Sequence, residues 1–351
     1  MKIIKYLLFL ILIIIIGSAI YLGTKDGTYD LQDTTVINAP PEVVFNKVNN
    51  FKSWETWNPW KEEDPNLNFS YAEKTSGEGA SLTFNGDKNG SITTTKVIPN
   101  KEIEQEVITK TSLGERTSTM YWSFDESGNS TTVTWGLKGE HTLVDKAYQT
   151  IKGSNHDSLV HKMNIIGLNN LTEDVLKDME KYAINVDGVT QYGGGYYMYT
   201  TSVAKQNELD SKTKPMMQEV MGFVNKNNLN MAGKPFTLYN QIDDANNTVI
   251  FSTGVPVKEQ VITPEGSPVV CGFMEPVTTV KTTLKGDYKH LPETYLKARK
   301  YMEAQDLQID PDRKMFEIYI TDPEAVVNPA NWVTEVYIPI LSEKEPVEEE
   351  I

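Results

Sequence analysis

Cysteine is almost missing from this chain. Cys271 is the one thiol among 351 residues, so no disulfide can form within it. No cysteine stands near the apolar N-terminus either, which excludes anchoring through a lipid-modified thiol there. Histidine is scarce and scattered: His141, His156, His161 and His290. His156 and His161 are five apart and do not share a helix face in the HExxH manner, and no CxxC occurs. No metal and no cofactor are expected. Positive charge is short, with 33 Lys and Arg against 48 Asp and Glu and a net charge of −15. Such a chain repels polyphosphate and carries no basic patch, so nucleic acid is not an expected partner. Gly193-Gly194-Gly195 lacks the GxGxxG frame and a following helix, and reads as the start of a strand rather than a phosphate cradle.

What is present begins at residue 1. "MKIIKYLLFLILIIIIGSAIYLG" holds Lys2 and Lys5, then an uncharged run from Tyr6 to Gly23. About 17–25 apolar residues span a bilayer as a helix. Residues 1–24 are therefore expected to be a single-pass membrane anchor, and the flanking lysines place the rest on the extracytoplasmic side. The rival is a signal peptide cleaved near Gly17-Ser18-Ala19, which would leave a secreted protein; its apolar core is usually 7–15 residues, shorter than this run. The remaining sequence, 39% apolar over the whole chain, is long enough for two packed domains.

The first, at 30–182, opens with a strand, "TTVINAP", and a helix whose Pro41 sits where no amide donor is needed. "FKSWETWNPWKE" follows, with three of the chain's six tryptophans, Trp54, Trp57 and Trp60. Six alternating segments then arrive at hairpin spacing, and a helical pattern over 158–182 closes the unit. That order resembles the START-like or SRPBCC superfamily, the polyketide cyclase and Bet v 1-type helix-grip folds. Its carriers here are "INAPPEVVFNKVNNFKSWETWNPW" and "GLNNLTEDVLKDME". The resemblance implies a curved antiparallel sheet gripping the long helix, with an apolar cavity between them. The tryptophan segment is expected to be core, with Trp54 and Trp57 inward; cavity lining and a membrane foot are the alternatives.

The second, at 185–342, repeats itself. "GGGYYMYTTSVAK", "KTKPMMQEVMGFVNKNNL", "KPFTLYNQID" and "NTVIFSTGVPV" are matched by "PVTTVKTTLKGDY", "LPETYLKARKYMEAQDL", "RKMFEIYITDP" and "NWVTEVYIPI". Two β-α-β-β copies about a pseudo-twofold axis are expected, with a ligand groove at their junction. "KGDYKHLPETYLKARKYMEAQDL", "FEIYITDP" and "TEVYIPI" resemble the GyrI-like effector-binding module of AraC- and MerR-type regulators. That resemblance implies a small amphipathic or lipophilic ligand, cations among them, in an aromatic cleft with a buried glutamate. Here the helix-turn-helix of such regulators is replaced by the anchor and the first domain. An acidic tail, 343–351, ends the chain.

Carried onto this sequence, the acids are Glu317 and Glu335. Strand alternation puts Tyr319 beside Glu317 and Tyr337 beside Glu335, and both pairs are expected to face one cleft. Trp332 and Tyr197, with Tyr196 and Tyr199, are candidate aromatic walls. In the first repeat Thr237 stands opposite Glu317 and Ser252 opposite Glu335, which places the acids in the second half. The fold class is α+β. The expected function is ligand binding, with hydrolysis of an electrophile by a Glu/Tyr pair, or a scaffold, as alternatives; no catalytic residue is assigned.

Overall fold

A computed structural model describes residues 2–111, 114–152 and 156–341. The acidic tail lies outside them. The chain divides into two compact units, Met1–Asp178 and Met179–Ile351.

Unit 1 starts with helix α1 (Lys2–Gly23), whose described side chains are exposed except Leu22. Ile3–Gly23 is long and apolar enough to cross a membrane, which fits an anchor and a signal sequence alike. Strand β1 (Thr28–Ile37) and helices α2 (Pro41–Asn49), α3 (Trp54–Trp57) and α4 (Trp60–Glu63) follow. Next come β2 (Asn68–Tyr71), β3 (Ser81–Asn85), β4 (Asn89–Ile98), β5 (Glu102–Thr111), β6 (Gly114–Ser127) and β7 (Ser130–Glu140). All pairings are antiparallel, in the order β1-β7-β6-β5-β4-β3-β2. Helices α5 (Leu143–Lys152), not anticipated from the sequence, and α6 (His156–Met179) complete the unit. Helix α6 buries Asn164, Leu168, Leu171 and Val175, while Leu159 and Leu176 are partly exposed. Gly167 lets α6 close on the sheet, because a Cβ there would collide with the Trp135 ring.

Trp54 and Trp57 are core, while Trp60 stays partly exposed. Trp54, Trp57 and Trp122 are fully buried, and Trp135 nearly so. Trp57 meets Trp122 edge-on at 5.9 Å, and Trp122 stacks on Trp135 at 4.5 Å. Buried indoles need partners: Trp54 Nε1 donates to the Val48 carbonyl at 2.8 Å and Trp122 Nε1 to Gln105 Oε1 at 3.2 Å. Trp57 Nε1 has none among the described residues.

Unit 2 contains β8 (Ala183–Tyr192), β9 (Gly195–Lys205), α7 (Leu209–Lys226), β10 (Phe236–Asp243) and β11 (Thr248–Pro256). A second set repeats it: β12 (Val270–Met274), β13 (Val277–Lys285), α8 (Leu291–Ala304), β14 (Phe316–Tyr319) and β15 (Val333–Pro339). Each copy is thus β-β-α-β-β, one strand more than the sequence pattern suggested. The antiparallel order β12-β9-β11-β10-β14-β15-β13-β8 is symmetric about the β10/β14 seam. The extra strands are exchanged: β8 pairs with β13 of the second copy and β12 with β9 of the first.

Connectivity forces this sheet to curl. Strands β8 and β9 are joined through Gly193 and Gly194 alone, yet stand at positions eight and two of the order. Flat, they would be about 29 Å apart at the usual strand spacing, and three Cα steps bridge no more than ~11 Å. The inner side of the curl gathers Tyr192, Tyr197, Phe236, Leu238, Met274, Val277, Phe316, Ile318 and Tyr337 from strands across the whole sheet. The outer side carries the helices. Val220 and Val224 of α7 pack on Met198 and Val255, and Ala298 and Met302 of α8 on Val280, Val336 and Ile338.

Candidate functional site

Register decides which polar groups meet. Across β14 and β15, Phe316 stands opposite Tyr337, Glu317 opposite Val336 and Ile318 opposite Glu335. Residues directly opposite in an antiparallel pair share a face. Glu317 and Tyr319 therefore point to the helix side, and Glu335 and Tyr337 to the inside of the curl. The single cleft holding both acids is corrected: the alternation within each strand holds, but the phase between the strands separates the two pairs.

Glu317 lies at the β10/β14 seam, opposite Thr237, and is 1% exposed. Its Oε1 accepts from Tyr239 at 2.8 Å and from Tyr295 of α8 at 2.9 Å. Its Oε2 accepts from Tyr319 at 3.2 Å, and that hydroxyl also lies 3.0 Å from Thr237 Oγ1. Among the described residues no ion pair reaches it. Burial pushes the Glu317 carboxyl above the usual range. The three phenol hydrogen bonds oppose the rise, and Asp210 of α7 adds to it. Burial and the Glu317 charge in turn hold Tyr239, Tyr295 and Tyr319 well above the ordinary phenol range. An aromatic wall continues outward: Tyr288 is 5.5 Å from Tyr319, and Trp332 is 4.8 Å from Tyr288. The indole Nε1 of Trp332 is fixed on the Val326 carbonyl at 2.6 Å.

The arrangement has the chemistry to take a cation. A buried carboxylate with no basic partner among the described residues is electrostatically incomplete, and aromatic rings close by can add to its attraction for a desolvated cation. Of the residues expected from the sequence, Glu317, Tyr319 and Trp332 are gathered here. Tyr239, Tyr295, Tyr288, Thr237 and Asp210 were missed. Tyr239 had a signal, since "FTLY" repeats "FEIY" and puts it at the place of Tyr319; Tyr295 had none beyond its helix.

Glu335, Tyr337 and Tyr197 lie on the inner face. Glu335 is neutralised by Lys281 at 2.6 Å and accepts from Tyr337 at 2.7 Å. Tyr337 stacks on Phe316 at 4.8 Å. Tyr197 lines a cavity of about 300 Å³ with Leu238, Phe273, Met274 and Phe316, and Arg313, paired with Glu275, stands at its edge. Tyr199 neighbours Tyr197, while Tyr196 packs against Phe273. Because Glu335 already has its cation, Glu335→Gln is expected to leave affinity for a lipophilic cation within about twofold of wild type, less than ~0.5 kcal/mol; calorimetric titration reads this directly.

In unit 1, His141, His156 and Asp157 bring one ligand atom each within 4.8 Å of one another. The grouping was hidden because α5 separates the two histidines in sequence. Arg116, ion-paired with Asp145, adds positive charge beside His156, which disfavours a cation there.

Residues 203–341 match the family model of the GyrI-like small-molecule-binding domain. A GyrI-like domain of that class thus occupies about the last two fifths of the chain. No curated protein matches the sequence. Among solved structures, the C-terminal domain of EcmrR is similar at 16% identity and a TM-score of 0.39, covering 46% of this chain and 99% of that one. SAV2435 bound to tetraphenylphosphonium is similar at 10% identity and a TM-score of 0.34, covering 46% and 94%. CV1439 from Chromobacterium violaceum shows 11% identity and a TM-score of 0.33, covering 42% and 96%.

Proposed function

We propose that this is a membrane-anchored binding protein for small amphipathic or lipophilic cations, taken at Glu317 in unit 2. The observation that carries it is a fully buried carboxylate held by three phenols and lacking a counter-charge among the described residues. Glu317 is closed off from solvent here, so a ligand must part the aromatic side chains around it. Displaced phenols then become walls, and the carboxylate supplies the charge. In the same reading α1 is the anchor and both units are extracytoplasmic. Unit 1 is a START-like helix-grip domain, supported by its strand order and its long closing helix.

The test uses the full-length protein in detergent, titrated with tetraphenylphosphonium and with the neutral triphenylphosphine oxide. Saturable binding of the cation alone, lost in Glu317→Gln, is the expected result. Equal binding by wild type and variant would sink the assignment. The pH dependence has a definite sign. Burial keeps the Glu317 proton on to higher pH than in an ordinary carboxyl, while a cation requires the ionised form. Affinity is therefore expected to strengthen as pH rises through the raised value and then level off. An affinity flat from pH 4 upward would mean that Glu317 does not titrate in the site.

A further inference from the structure

Helix α5 is amphipathic with its faces reversed. Leu143, Val144, Ala147, Tyr148 and Ile151 recur at the spacing of one helical stripe, the side that normally meets a core. Here Leu143, Val144 and Tyr148 are about half exposed and Ile151 is 82% exposed. The polar side points inward instead. Asp145, 4% exposed, accepts from the Thr142 backbone N–H at 3.0 Å and its hydroxyl at 2.8 Å, and is ion-paired with Arg116. Gln149 lies 3.4 Å from the His141 ring nitrogens. Polar bonds therefore fix which way α5 faces, and rolling the stripe inward would strip the buried Asp145 of its partly exposed Arg116 partner.

The stripe continues from the apolar helix. Leu143 lies against Gly23 at the end of α1, close enough that a Cβ there would touch its Cδ2 at 3.7 Å. Lys146 Nζ donates to the Lys25 carbonyl at 2.6 Å, tying the first turns of α5 to the segment just after α1. Tyr21 and Tyr148 both expose their rings, the residue type that settles at the membrane–water boundary. An amphipathic helix with its apolar face in water is unsatisfied, and the apolar phase nearest to this one is the bilayer that α1 would span.

We propose that α5 is a second membrane contact, its Leu143–Ala147–Ile151 stripe lying in the boundary between headgroups and acyl chains and holding unit 1 on the lipid surface. The proposal rests on the anchor reading of α1. Its test keeps the full chain, reconstituted in phosphatidylcholine nanodiscs with Cys271→Ala as background. Single spin labels are placed through Ile13→Cys in α1, Ile151→Cys in α5 and Glu126→Cys at the exposed end of β6. Collisions with oxygen report lipid, and collisions with a water-soluble nickel chelate report water. The expected result is loss of nickel collisions at 13 and 151, with 126 fully accessible to nickel. A label at 13 in lipid and one at 151 as nickel-accessible as 126 overturns the α5 contact and leaves the anchor standing. A label at 13 in water overturns the anchor and the α5 contact with it. A label at 151 shielded from both reagents means that protein, such as a second copy, covers the stripe, and overturns the lipid assignment.

Discussion

Glu317→Gln is expected to lose the cation and, at neutral pH, to gain stability. Truncating one partner of a buried charge pair costs about 2–5 kcal/mol, so affinity should weaken by on the order of 30-fold or more. The gain in stability has a separate cause. Without ligand, Glu317 is a buried acid with no counter-charge among the described residues, and its burial disfavours the ionised form. The amide can replace it without leaving a polar atom bare. Its carbonyl oxygen can accept from Tyr239 and Tyr295, and its NH2 can donate to Tyr319, whose own proton turns to Thr237 Oγ1. Removing the charge removes the penalty of ionising a buried acid, so the amide variant is the more stable protein at neutral pH.

The pH dependence separates this gain from mere repacking. The folded carboxyl keeps its proton to higher pH than the unfolded one, whose ordinary value is 4.5. Between those two values the folded state binds more protons, so wild-type stability falls as pH rises through that window. Below the unfolded value the term vanishes. The Gln variant lacks this decline, and the gap between the two proteins should open above the ordinary carboxylate range and then stay constant. Thermal unfolding of both proteins from pH 4 to pH 8 measures it. A variant less stable than wild type at every pH would mean that the carboxylate is a net structural support.

Trp122→Ala should be among the most damaging single changes in unit 1. Trp122 is fully buried, stacks on Trp135 and meets Trp54 and Trp57 edge-on. Its removal leaves three large rings facing a void that sheet and helix cannot close, at a cost of about 3–5 kcal/mol. It also strips Gln105, itself fully buried, of the indole donor to its Oε1. Trp57→Phe is the matched control. The Trp57 Nε1 has no partner among the described residues, so the change removes volume but no hydrogen bond seen there, and a loss of less than half as much is expected. Urea denaturation of the full chain, followed by signals from each unit separately, checks both, because two units need not unfold together. Equal losses for the two variants would mean that the rings matter only as bulk.

Much of this was legible because it is local. The apolar run of α1, the six hairpin-spaced strands of unit 1, the inward tryptophans and the duplicated pattern in unit 2 all follow from periodicity and composition. Glu317 was marked by its motif and by the threonine that replaces it in the first copy. The misses share one cause. A strand's alternation says which residues share its own two faces, but not which of those faces matches a neighbour's. The pairing of Phe316 with Tyr337 made that choice and parted Glu335 from Glu317. The exchanged strands β8 and β12 are likewise a matter of pairing at a distance, and "VCGFM" alternates too briefly to announce itself.

Tyr295 shows the limit most plainly. Within its helix it is one aromatic among several, and only the packing of α8 over the β10/β14 seam brings its hydroxyl to Glu317. Helix α5 is the converse case: its amphipathic stripe is written in the sequence, but which side of it meets the protein is not. That was settled by the buried Asp145 and its ion pair with Arg116, because a charge taken from water must keep its partner while an apolar stripe can find its apolar phase elsewhere. The sequence by itself determined most of the elements and their repeat, and it marked Glu317 as a candidate acid. The tertiary structure decided which face each strand turns to its neighbour, and so which phenols surround that acid, since register and helix docking depend on contacts between residues far apart in the chain.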